Sequence, residues 1–188
     1  MKKKQIPLLT PHYGTLVSSD SYYVDKTPFI HKLEAQNSPN LFFLRPRRFG
    51  KSLFLSMLEH YYGIQHKDRF EELFGEYYVG KPGHTTPLRN VYYILHFDFS
   101  GINTQVETDV MASFNEKLIV GIRDFTATYG LNADQFLEEL SGKKYPSDIL
   151  AAFLSLVKNE AHSRKIYLFI DEYDHFTNEL FAFNTEHF

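Results

Sequence analysis

An α/β fold, with a mostly parallel sheet flanked by helices, is what this sequence predicts, and three observations predict it. Short apolar runs recur at Leu41-Phe42-Phe43-Leu44, at residues 91–99 and at Ile166-Tyr167-Leu168-Phe169-Ile170. The stretches between them carry apolar residues at helical spacing. Strands that alternate with helices argue for parallel strands covered on both faces. The 188 residues, 43% of them apolar, suffice for one substantial core, so a single domain over residues 1–188 is expected.

The elements follow in order. Asp25-Lys26-Thr27-Pro28 before Phe29, Ile30 and Leu33 reads as a helix start, with Thr27 at the N-cap and Pro28 at the first helical position. Residues 41–44 are bounded by Pro39-Asn40 and Arg45-Pro46, the pattern of a strand buried on both faces. Beyond Gly50, the residues Leu53, Phe54, Met57, Leu58, Tyr61 and Tyr62 form one helical stripe, which Gly63 ends. Residues 79–90 hold Gly80, Pro82, Gly83 and Pro87 and read as a loop or crossover. Residues 91–99 crowd β-branched and aromatic side chains into a second strand, closed by Ser100-Gly101. Helical spacing then fills residues 106–129 and 148–161, and residues 166–170 form a third strand that ends in Asp171-Glu172.

Composition excludes several chemistries. With no cysteine there is no disulfide framework, thiolate zinc site or cysteine nucleophile, and a reducing, cytoplasmic setting fits. The nine histidines include no H-E-x-x-H pair. A formal charge of −3 gives no general field for nucleic acid, and the 16% aromatic content is accounted for by core packing rather than base stacking. The stretch after Met1-Lys2-Lys3-Lys4 has no apolar signal-peptide core, and no uncharged run of membrane-spanning length follows, so no membrane partner is expected.

Arg45-Pro46-Arg47-Arg48-Phe49-Gly50-Lys51-Ser52 aligns with the phosphate-binding pattern G-x-x-x-x-G-K-[ST], except that Arg45 replaces the first glycine. The chemistry needs backbone N–H groups that curl round a phosphate at a helix N-terminus, and Arg48, Phe49, Gly50, Lys51, Ser52 and Leu53 would supply them. Lys51 would hold the β- and γ-phosphates, and the Ser52 hydroxyl would ligate Mg²⁺. Pro46 would fix the entry turn in place of the glycine. The plainer alternative is a helix start with Ser52 exposed. Arg45, Arg47 and Arg48 would bind phosphate oxygens or, as the blander account has it, pair with carboxylates.

Asp171-Glu172 at the C-terminal end of an apolar strand fits a Walker B motif, with Asp171 on the metal and Glu172 as general base. The alternative is an ordinary helix start, which carboxylates favour. Asp98 and Asp174 are further carboxylates at strand ends, near the metal or capping a loop.

Taken together, Tyr23-Val24-Asp25-Lys26-Thr27, the Arg-Pro-Arg-Arg-Phe-Gly-Lys-Ser string, Asp98-Phe99-Ser100 and Asp171-Glu172-Tyr173-Asp174 resemble the bacterial AAA-ATPase-like family. Its members often carry a C-terminal nuclease-like domain of the PD-(D/E)XK type. The resemblance implies a P-loop NTPase fold of the ASCE type, ATP and Mg²⁺ as cofactors, and the roles above for Lys51, Ser52, Asp171 and Glu172. It also implies a further strand with a sensor residue and a helical lid beyond the Walker B strand, so the sheet is expected to be incomplete at its C-terminal end. The expected activity is ATP hydrolysis coupled to an unidentified effector. The alternatives are a nucleotide-binding switch or assembly module with little turnover, further copies of the chain being its partners, and a nucleic-acid-associated protein.

Overall fold

A computed structural model describes residues 10–19, 21–44, 46, 48–102, 107–131, 133–160 and 165–173. The backbone separates into two compact units, Met1–Tyr92 and Tyr93–Phe188.

In the first unit the order is α1 (Tyr13–Ser18), α2 (Pro28–Ala35), α3 (Lys51–Tyr62), a 3-10 helix (Ile64–Arg69) and α4 (Phe70–Phe74), with a short 3-10 turn at Tyr78–Gly80. The expected stripe of α3 is buried at Phe54, Met57, Leu58, Tyr61 and Tyr62. Tyr13 locks α1 onto it: its ring stacks on Phe74, its N–H donates to Ser56 Oγ (3.1 Å), and its hydroxyl donates to the Leu73 carbonyl (2.8 Å). The phenol is fully buried, and burial pushes its pKa up, so it stays neutral.

The helix start at Thr27-Pro28 is where the sequence places it, but the Thr27 hydroxyl serves another segment instead of capping α2. Its side chain makes no bond to the first turn of α2. Instead the Thr27 hydroxyl accepts the Val79 N–H (3.2 Å), and the Asp25 carboxylate accepts both Thr27 N–H (2.8 Å) and Tyr78 N–H (2.9 Å). The stretch 79–90 is thereby tied down at its start. It is tied again at Thr86, which donates to Glu34 Oε1 (2.8 Å) and exchanges hydrogen bonds with the Tyr61 hydroxyl (3.0 and 2.8 Å).

The end of this loop closes α3. An α-helix leaves its last carbonyls without intrahelical donors. Here Asn90 N–H donates to the Tyr61 carbonyl (2.9 Å), Tyr92 N–H to Tyr62 (3.1 Å), and the Asn90 side-chain amide to His60 (3.3 Å) and Gly63 (2.7 Å). Asn90 does this from a left-handed backbone, φ +51°, a conformation that asparagine tolerates better than most residues.

One expectation fails in this unit. Residues 41–44 join no strand ladder among the described residues, and Phe42 and Leu44 are 74% and 72% exposed. Only Phe43 packs as a core residue does, with its ring stacked on Phe54 at 4.9 Å. An apolar run becomes a strand only where another strand offers its edge, a condition that local composition does not record.

The second unit contains β1 (Tyr93–Asp98), α5 (Glu107–Tyr129), α6 (Asp134–Ser141), α7 (Pro146–Glu160) and β2 (Ile166–Asp171). The strands pair in parallel, Tyr93 opposite Ile166 through Asp98 opposite Asp171. Leu118, Ile122 and Phe125 of α5 pack with Leu95 and Phe97 of β1 and with Ile149, Phe153 and Val157 of α7. Gly121 lets α5 lie close, since a Cβ there would come within 2.7 Å of the His96 carbonyl oxygen. The α5 side of the sheet is not fully covered: Leu168 and Ile170, opposite Leu95 and Phe97, are 47% and 41% exposed.

Because Asn90 supplies two of the donors that close α3, Asn90→Ala is expected to lower stability by about 2–3 kcal/mol. Asn90→Gly, which keeps the left-handed backbone but not the amide, should lose less. Urea unfolding of the three proteins measures both differences.

Candidate functional site

The chain ahead of α3 forms a tight loop. Phe49 N–H donates to the Pro46 carbonyl (3.3 Å), which closes a turn whose third residue, Arg48, has φ +66°. A positive φ at that position is common to type II and type I′ turns. Gly50 follows with φ +74°, and α3 begins at Lys51. The first bond of the helix runs from Phe54 N–H to the Gly50 carbonyl (2.9 Å). The Ser52 and Leu53 amides precede it, so the helix itself offers them no acceptor.

The two left-handed residues flank Phe49, and alternation of this kind turns successive N–H groups toward a common concavity that suits an anion. The helix dipole adds to that preference. Around Gly50 there is space: a Cβ built there meets no atom within 4 Å, so the glycine answers to its backbone angle and not to a crowded neighbour. Arg48, Phe49 and Gly50 are exposed, and Lys51, Ser52 and Leu53 are half-buried. All six residues of the sequence-based site therefore lie in one continuous turn and first helical turn. Among the described residues no carboxylate pairs with Arg48. Arg45 and Arg47 lie outside the described residues, as does Asp174.

In the second unit the acidic pair is placed by the sheet. Asp171 is the last residue of β2 and only 8% exposed, and its Oδ1 accepts the Glu172 N–H (2.9 Å). Glu172 has φ +52°, a left-handed backbone, and the chain beyond Tyr173, where a helix start would continue, lies outside the described residues. Its backbone turns the chain away from the strand direction immediately after the buried carboxylate. Asp98 is the register partner of Asp171 on β1, and its Oδ1 accepts the Ser100 N–H (2.9 Å), which is the loop-capping role. The C-terminal edge of this parallel pair thus carries two carboxylates side by side, each steadied by a backbone amide. Ligands of open α/β sheets gather at that edge.

Among the described residues no group of three or more His, Asp or Glu side chains is gathered as a ready metal site. Mg²⁺ does not require one, since it takes one or two protein oxygens together with phosphates and water. The Ser52 hydroxyl and the Asp171 carboxylate are oxygen donors of that kind. Sequence reasoning read Thr27 only as an N-cap, placed Asp25 only within longer strings and gave Asn90 no role, yet all three fix the loop and helix of the first unit. The side chains carry one weak signal, an Asx or Thr at a chain reversal.

A family model described as predicted AAA-ATPase, the AAA-ATPase-like family, matches residues 7–187. A protein of Azotobacter chroococcum mcd 1, described as "Uncharacterized protein in vnfD 5'region", is 38% identical over 80 residues. That stretch is 38% of this chain and 15% of the relative. No solved structure matches. No helix among the described residues is long and apolar enough to cross a membrane.

Gly50→Ala forces a side chain into the left-handed region, at a cost of about 1–2 kcal/mol. We expect thermal unfolding to show a loss of that size, and Arg48→Gly to show a gain of up to about 1 kcal/mol, because glycine relieves the same strain one turn earlier.

Proposed function

The chain belongs to the AAA-ATPase-like family of predicted AAA-ATPases, and from that premise we propose that it binds ATP at residues 48–53 and hydrolyses it with Mg²⁺. The observation that carries the reading is the pair of left-handed residues, Arg48 and Gly50, set immediately ahead of α3. That geometry presents amides to a phosphate where the helix dipole also favours one.

Each residue has a role in this reading. The amides from Arg48 to Leu53 cradle the phosphates, and the Lys51 ammonium neutralises the β- and γ-oxygens. Ser52 and Asp171 would hold Mg²⁺, which would offset the charge that develops on the transferred phosphoryl group. Glu172 accepts a proton from the attacking water, a general-base role. Arg48, exposed beside the loop, offers a guanidinium to phosphate oxygens. The hydrolysis drives a change in an effector, which is either a further part of a longer polypeptide or a separate protein. The setting we propose is cytoplasmic.

Calorimetry with Mg·ATP, together with a phosphate-release assay, tests the reading. Lys51→Ala is expected to weaken binding by about 100-fold, the loss of a charge-assisted phosphate contact. Glu172→Gln should keep the affinity and lower turnover by about 10²–10³-fold. Asp171→Asn should raise the magnesium concentration needed for half-maximal binding. A folded wild-type chain that binds no nucleotide overturns the proposal. Binding that is lost with Lys51 but unaccompanied by turnover identifies a nucleotide switch instead of an ATPase.

A further inference from the structure

The C-terminal end of α3 carries a cluster that the phosphate site does not use. His60 lies in the last turn, and its Nδ1 stands 2.7 Å from the Ser56 carbonyl oxygen. A carbonyl only accepts, so Nδ1 carries the proton and Nε2 of the neutral ring is bare. Gly14 of α1 lies over that nitrogen: a Cβ on Gly14 would come within 2.7 Å of Nε2. One face of the ring stacks on His66 of the 3-10 helix, with centroids 4.1 Å apart and planes 14° from parallel. The Tyr13 ring meets His60 edge-on at 5.7 Å. The seat of α1 on α3 is thus built around two stacked imidazoles.

We propose that the His60–His66 stack is a proton-sensitive latch for α1, which seats the helix while both rings are neutral and releases it when the pair takes up a proton. A proton on either ring sets a cation face to face with a second titratable ring at 4.1 Å. A proton on His60 Nε2 further points a donor at the backbone of Gly14.

The groups that face the pair come from every neighbouring element. Glu59 of α3 favours the proton, whereas Arg69 of the 3-10 helix and His12, just ahead of α1, oppose it. Tyr13 stays neutral. Arg69 is itself paired with Glu72 of α4 (2.7 Å) and holds that carboxyl down at about 2. Burial outweighs all of these and depresses both imidazoles, His66 to about 4. An open depression of about 580 Å³, lined by His12, Thr15, Ser19 and Arg69, reaches the His60 ring.

The direction follows from linkage. Released imidazoles return to the ordinary value near 6.5, so release binds protons. The seated state keeps its full advantage above about pH 6.5 and loses it progressively as pH falls toward about 4.

Hydrogen–deuterium exchange on the full chain tests the latch. Corrected for intrinsic rates, exchange across residues 13–18 is expected to rise about tenfold between about pH 7 and about pH 5, while α5 is unaffected. His66→Phe keeps a ring in the stack but removes one titrating site, and should reduce the rise to about threefold or less. His60→Gln should reduce it as well. Wild-type exchange at residues 13–18 that does not depend on pH overturns the proposal without reference to any variant. An undiminished rise in both variants overturns it too, since the titrating group then lies elsewhere.

Discussion

Much of the first unit depends on one constraint, that the carbonyls at the C-terminal end of α3 must find donors. The helix meets it with residues about thirty positions further along the chain: Asn90 and Tyr92 supply four hydrogen bonds to His60, Tyr61, Tyr62 and Gly63. Those bonds fix where α3 ends, and by closing the 79–90 loop they bring Thr86 and Val79 against Tyr61 and Thr27. At its other end the same helix leaves amides without an intrahelical acceptor. The two ends answer the same problem in opposite ways, one closed by donors from elsewhere in the chain and one given no acceptor by the helix itself. A helix anchored at one end can present its other end in a fixed place, which a phosphate site requires.

The second unit solves a different problem, the placement of carboxylates. A parallel pair in register sets Asp98 beside Asp171, and the close crossing of α5 at Gly121 holds β1 beneath a packed layer. Each carboxylate then accepts an amide from the residue or residues that follow it. Such bonds restrict the side chain without neutralising it. The turn at Glu172 starts where the strand stops.

What was legible in the sequence is what local chemistry determines. The stripe from Phe54 to Tyr62, the two strands at 93–98 and 166–171, and the long helix ending at Tyr129 each follow from apolar spacing and breakers, and each is present. The helix start at Lys51 was legible because glycine, lysine and serine stand together after an apolar run, whereas the phosphate role of residues 48–53 remains the proposal made above. Residues 41–44 misled because composition says that a segment is apolar but not which edge it meets, and Phe42 and Leu44 are exposed. Asn90 and Asp25 escaped notice for the same reason. Apart from the Thr27 N–H beside Asp25, their partners lie 27 to 53 residues away, and no pattern in a short window encodes them.

The loop carries its left-handed residues at positions 48 and 50, while Arg45, which stands where the pattern has its first glycine, lies outside the described residues. In a phosphate loop the left-handed conformations fall where the backbone must reverse to wrap an anion, and glycine removes their cost. Here the turn opens at Pro46, whose carbonyl accepts from Phe49, and the reversal is carried by Arg48 at φ +66° and then by Gly50 at φ +74°. An arginine in that region costs about 1–2 kcal/mol. Glycine at the same position would be the more stable choice, and no carboxylate among the described residues offsets the cost by pairing with the guanidinium. Strain of this kind persists where a side chain serves something other than stability. In the function proposed above, the exposed Arg48 guanidinium has such a use, because it offers phosphate oxygens a bidentate donor that a glycine at position 48 would not supply.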